Sequence, residues 1–310
     1  MKLDQALKVS LDELRTQMLG AQVLLGFQFQ GLFQDQSNEL TTGARVIDAL
    51  GLALMVVAIA LIIAIPCQHR LVEGGEATQR IYIESRRYAE LALLPMAGGI
   101  GCDLFVATGL KFGWAVATAL ATAMCAAAIA LWYVLGFLLR RRWAVRPSGV
   151  PMKQSSTPLH TKIEQMLTEG RVILPGVQAL LGFQFVVMLT RSFGELPSAA
   201  RTVHVIALMS LAITIVLLIA PAAIHRITFG GNDDPRLHWL GSALMTAALL
   251  PLTCGISCDM WVALTKLFGE GMVPAVGAGG VAVLLLGLWY LLPLALKHEI
   301  RGHGSRYEAS

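Results

Sequence analysis

Asp103 and Asp259 lie inside apolar stretches of this chain, and each directly follows a cysteine, Cys102 and Cys258. A carboxylate in hydrocarbon is costly and must face a cavity, a partner or other protein. It can hold a proton or a small cation, or it can brace a neighbouring helix. Glycine surrounds both, with Gly98, Gly99 and Gly101 after Pro95 in one case and Gly255 after Pro251 in the other. That pattern predicts a kinked or locally unwound helix whose free carbonyls turn toward an ion. Two amide pairs accompany the carboxylates, Gln22 with Gln28 and Gln178 with Gln184. They are suited to interhelical hydrogen bonds or to the lining of a polar path. A basic set completes the inventory: Arg15, His69 and Arg70, then Arg171, His225 and Arg226. These residues fit interface anchors, or a ring that takes an anionic headgroup or substrate. A thiol pair at Cys254 and Cys258, one helical turn apart, has the spacing of a soft-metal site, but Gly98 replaces the first thiol in the other copy. No metal or cofactor is therefore expected.

Most of these residues occur twice. Leu24 to Phe29 returns unchanged as Leu180 to Phe185, and His69-Arg70 as His225-Arg226, always 156 positions on. The register needs no gap from Leu3/Leu159 through Gly113/Gly269. The copies also differ: Asp48 corresponds to His204, and Glu90 to Thr246.

The elements that must position these residues are membrane helices. The chain is 55% hydrophobic and 14% charged, with mean hydropathy +0.64, too apolar for a soluble domain. Stretches long enough to cross a bilayer, about 20 residues, lie near Gln17–Phe33, Val46–Pro66, Tyr88–Gly109 and Trp114–Leu139 in the first half. In the second they lie near Val172–Leu189, Thr202–Pro221, Leu240–Leu264 and Met272–Leu296. The expected fold is all-α, with eight transmembrane helices as two four-helix repeats in the same orientation, related by a pseudo-two-fold axis along the membrane normal. The first repeat is read as residues 1–140, the linker as 141–158, the second repeat as 159–297 and the tail as 298–310. Each repeat opens with an amphipathic stripe, Leu3, Leu7 and Leu11, then Leu159, Ile163 and Leu167, suited to a short helix in the interface.

Lys and Arg placement sets orientation: 19 of 24 fall on the side of the N-terminal arm, the linker and the tail. Both termini are then cytoplasmic, in a bacterial inner membrane. Basic residues so placed face anionic headgroups and need no nucleic acid to explain them. Oligomeric state is left open.

The repeat pattern resembles a bacterial integral-membrane family of unknown function, whose members are mostly single four-helix units and are sometimes labelled sodium:proton antiporters. The residues that carry the resemblance are Arg171, Leu174-Pro175-Gly176-Val177-Gln178, Phe183, Phe193, and Pro221 with His225-Arg226. The first half keeps Arg15, Gly20, Gln22, Phe27 and His69-Arg70 but has Leu19 in place of Pro175. The resemblance implies a tandem duplication of a four-helix unit and transfers no mechanism.

No His-Glu-x-x-His, Gly-x-Ser-x-Gly or phosphate-binding loop is present, so no enzyme is expected. The leading expectation is a membrane protein that moves a small ion or solute, with Asp103 and Asp259 as a facing pair that takes up the proton. The other is a scaffold, sensor or partner-binding subunit whose polar residues hold helices together.

Overall fold

The computed structural model describes residues 3–34, 37, 39–135, 137–138, 157–229 and 232–307. The linker expected at 141–158 lies outside the described residues except for Thr157 and Pro158. The described chain is all-α. In the first half, α1 is Leu3–Gly31, α2 Thr42–Leu71, α3 Gln79–Phe112 and α4 Trp114–Ile129, which runs on into a π-helical turn, Ala130–Val134. In the second, α5 is Leu159–Met188, α6 the short Arg191–Gly194, α7 Ser198–Ile227 and α8 Pro235–Phe268. Then come α9, Met272–Leu286, a second π turn, Gly287–Leu291, and α10, Leu292–Tyr307.

Local chemistry sets the boundaries. Thr41 and Thr78 cap α2 and α3 by accepting from the N–H of Ala44 and Ile81, each at 3.3 Å. Asp234 caps α8 through Arg236 N–H at 2.7 Å, with Pro235 at the first position, where no donor is needed. Gly113 and Gly269 take φ of 84° and 81°. That left-handed backbone ends α3 and α8 and lets the next helix start almost at once.

Seven helical stretches are long and apolar enough to cross a membrane: α2, α3, α4 with its π turn, α5, α7, α8, and α9 continuing to Glu299. The eighth expected span is the second part of α1, a 29-residue helix whose first half carries Asp4, Lys8, Asp12, Glu13 and Arg15. The separate interfacial helix expected at Leu3, Leu7 and Leu11 does not form. Leu7, Leu11, Leu14 and Met18 are fully buried on a single helix that runs unbroken from Leu3 to Gly31. The stripe simply extends the face of α1 that packs on protein. Likewise α5 is continuous from Leu159 to Met188.

The local unwinding expected around Asp103 and Asp259 does not occur, since α3 and α8 stay helical through Pro95 and Pro251. The glycines serve packing instead. A Cβ on Gly99 would lie 2.8 Å from Met55 Cε, and one on Gly101 2.3 Å from Cys125 Sγ. Close approach of this kind is what small residues provide in membrane bundles. The irregular backbone lies in the two π turns, which share the sequence Leu-Trp-Tyr. There Tyr133 and Tyr290 donate to the carbonyls of Glu90 and Thr246, equivalent positions of the two halves.

α2 is the most enclosed helix. Met55, Ile59, Ile62 and Ile63 are fully buried, and buried Trp289 donates from Nε1 to Ala60 O at 3.0 Å. α4 lies outside with Val116, Leu120 and Met124 exposed, and α7 exposes Val205, Met209, Ile213 and Val216. Apolar faces of this extent suit lipid rather than water.

Candidate functional site

At one end of the bundle α1 ends, α2 begins and α3 ends, and three polar side chains meet there. Gln28 on α1 donates from Nε2 to Asp103 Oδ1 on α3 at 2.7 Å. Gly51 on α2 makes room for this bond: a Cβ there would lie 3.5 Å from Gln28 Nε2 and 3.0 Å from Cys102 Cβ. Asp48 on α2 faces the same pocket, about 360 Å³ in volume and open at its mouth, together with Gln34 and Ser37. Gln28 Oε1 is enclosed and has no hydrogen-bond partner among the described residues. Among the described residues none that lines the pocket is a lysine, arginine or histidine. The described wall thus gathers oxygen acceptors, two carboxylates among them, which is the chemistry of a hard cation or ammonium site.

The equivalent positions of the second half are Gln184, His204 and Asp259. Gln184 Nε2 bridges both carboxylate oxygens of Asp259, at 2.7 and 2.6 Å. His204 stands where the first half has Asp48, and its Nε2–H donates to Gln184 O at 3.2 Å. Its ring stacks on Phe29 at 5.9 Å and meets the edge of Phe193 at 5.0 Å. Asp259 faces a cavity of only about 20 Å³, lined otherwise by apolar side chains such as Leu25, Phe29 and Leu180. One copy is therefore open and acidic, while the other is closed and has a stacked imidazole in place of the second carboxylate. In each half the aspartate is bonded by the glutamine of that half, rather than by the facing aspartate that the sequence led us to expect.

The remaining expected residues separate in the same lopsided way. Gln22 is fully buried, and its Oε1 occupies the space of the missing Gly176 side chain, 1.3 Å from where a Cβ would stand. Its repeat partner Gln178 is exposed. Cys102 and Cys258 are half-buried free thiols, with Cys254 Sγ 4.0 Å from Cys258 Sγ. No group of three or more potential metal ligands occurs among the described residues.

The six basic residues do not converge. Arg15, Arg171 and Arg226 are exposed and His225 is half-buried. His69 and Arg70, at the opposite end of α2 from Asp48, are buried against Glu169 of α5. Arg70 Nη1 donates to Glu169 Oε2 at 3.0 Å, and His69 Nδ1 bonds to Oε1 of the same carboxylate. The exposed arginines stay in solvent because they lack such a partner. Glu13, the repeat equivalent of Glu169, is itself exposed. Sequence reasoning passed over Glu169 and noted Asp48 only as a point where the halves diverge. The signal for the first was a glutamate recurring two residues before Arg15 and Arg171.

DUF6328, described as a family of unknown function, matches residues 1–136 and again 155–293. The chain belongs to DUF6328. Each DUF6328 match covers one half and contains one complete Asp-Gln site: Gln28 and Asp103 in the first, Gln184 and Asp259 in the second. No curated protein and no solved structure matches the chain.

Proposed function

We propose that this is an integral membrane protein that takes up a small cation at the Asp48–Asp103 pocket and moves it, with a proton on the repeated aspartates as the coupling partner. The observation that carries this reading is the pocket itself. Asp48 and Asp103 line one opening together with Gln28, and no lysine, arginine or histidine lines it among the described residues. Gln28 holds Asp103 by Oδ1 beside the open pocket, which leaves that carboxylate able to exchange a proton for a cation, whereas Gln184 engages both oxygens of Asp259.

The finer topology belongs to the same proposal. The two halves are a tandem duplication inserted the same way up, with eight crossings and both termini in the cytoplasm of a bacterial cell, and the protein performs no covalent catalysis. α1 is taken as the eighth crossing because it packs along α5, with Gln22 on Gly176 and Gly26 against Phe183. Its repeat counterpart α5 is long and apolar enough to cross.

A second reading, a sensor or scaffold, is favoured by a different observation. The cavity beside Asp259, lined from both halves, is about 20 Å³, and Glu169 ties α5 to the end of α2. Cation binding is the first test. Thermal stabilisation by lithium, sodium, potassium and tetramethylammonium, at constant ionic strength, should single out at least one of them. Asp48→Asn and Asp103→Asn should each weaken it about tenfold, the worth of one lost charge contact, while Asp259→Asn leaves it unchanged. Equal stabilisation by all four in both aspartate variants would sink the cation site.

A further inference from the structure

At the end of α2 opposite Asp48 lies a pocket of about 650 Å³, bounded by Arg70, Tyr290 and the first turns of α8. Arg70 is only 8% exposed. Its Nη1 is occupied by Glu169 and by Met245 Sδ, while its Nε and Nη2 have no partner among the described residues. A guanidinium presents five N–H donors, so Arg70, which lines the pocket, is short of acceptors. Glu169 cannot supply them, because its second oxygen is taken by His69. His238 and Ser242 stand beside Arg70 on the pocket wall. The charged groups near His238 are Lys162, which is committed to Glu76, and the His69–Glu169 pair.

Below this polar end the wall turns apolar. Trp239, Ala243, Ala247 and Leu250 line it from one exposed face of α8. From Trp239 to Leu250 is about 16 Å at 1.5 Å per residue, close to the depth of one bilayer leaflet, about 15 Å. The first half does not repeat these residues. Where α8 has Ser242, Ala243 and Thr246, α3 has Arg86, Arg87 and Glu90, and Arg226, the counterpart of Arg70, is exposed.

We propose that this pocket binds one anionic phospholipid, its phosphate at Arg70, His238 and Ser242 and one acyl chain along the Trp239–Leu250 face. The site is separate from the cation pocket and stands whether or not the protein transports. Inorganic phosphate shares the head-end chemistry but would leave the apolar row empty.

The test uses the full chain in phosphatidylcholine vesicles that carry a minor fraction of brominated lipid. Quenching by bromine is read as the difference between the protein and its Trp239→Phe variant, which isolates Trp239. Brominated phosphatidylglycerol should quench that difference at least about fivefold more efficiently per lipid than brominated phosphatidylcholine. Arg70→Gln should remove the preference for the anionic lipid. Because Arg70→Gln also leaves Glu169 short of a partner, Ala247→Phe, which fills the groove away from the ion cluster, is the second variant and should weaken both lipids. Equal quenching by the two lipids overturns the proposal, as does full binding in Ala247→Phe. Displacement of phosphatidylglycerol by inorganic phosphate alone would assign the pocket to a free anion and overturn the lipid.

Discussion

At the scale of residues, two side-chain pairs differ from their repeat copies by a change of burial. Gln22 fills the space that Gly176 leaves empty. Gly176→Ala should therefore lower stability in detergent by about 1–3 kcal/mol, the range for overpacking, measured by chemical denaturation. Adding Gln22→Ala should restore most of the loss, since the buried amide it removes has no partner to lose. Non-additivity of that kind identifies the contact; additive losses would contradict it. Glu169→Gln should cost about 3–5 kcal/mol, because it strands Arg70 beside an uncharged amide, whereas Glu13→Gln on the exposed equivalent should stay within about 0.5 kcal/mol. The residue types were legible in the sequence: Gln28, Asp103 and their copies recur among apolar neighbours. What a single chain cannot display is which copy is buried. Gln22 and Gln178 are the same residue at equivalent positions, and the neighbouring helix decides which is buried. Comparison of the repeats marked Asp48 only as a divergence from His204, and its place beside Asp103 came from the fold.

Among the elements, periodicity gave the helices and misjudged their joints. Leu7 and Leu11 have the spacing of an interfacial stripe, yet the same spacing continues through Leu14 and Met18, and one helix results. Pro95 with its glycines reads as a break, but a proline removes only one backbone bond, and the glycines admit Met55 and Cys125. The π turns at the two Leu-Trp-Tyr sequences carry no periodic signal at all. One joint has a measurable pH dependence. Glu76, in the connection between α2 and α3, bonds Lys162 and accepts from the N–H of Thr157, and so docks the start of the second half onto the first. Burial raises its pKa, and the bonds to Lys162 and Thr157 outweigh that, leaving it below the ordinary glutamate value. A depressed carboxylate stabilises the fold above its unfolded pKa, about 4.3, and that contribution disappears as pH falls through the lower folded value. Thermal unfolding between pH 6 and 3 should therefore show a loss that Glu76→Gln flattens; an unchanged slope in the variant would mean the contact contributes nothing.

For the molecule as a whole, the two halves share a design and use it differently. The first keeps an open acidic pocket at one end, while its Arg70 is buried at the other. The second closes the equivalent acidic site with His204 and leaves Arg226 in solvent. The fourth helices diverge too: Trp289 is buried against Ala60, while Trp132 is exposed. The sequence announced the duplication through one constant offset, but a repeat in sequence implies equivalence, and packing two copies against each other need not preserve it. Unequal halves are what a one-sided uptake site requires, and they are equally compatible with a protein that only senses. The measurement that separates these is flux. The full chain is reconstituted in liposomes with a pH-sensitive dye inside, and lithium, sodium, potassium or tetramethylammonium is added outside. The account predicts cation-dependent proton movement for at least one of the four, abolished by Asp103→Asn in a protein that still folds and inserts. No proton movement with any of them, from protein whose cation binding has been verified in detergent, would contradict transport and leave the sensor reading standing.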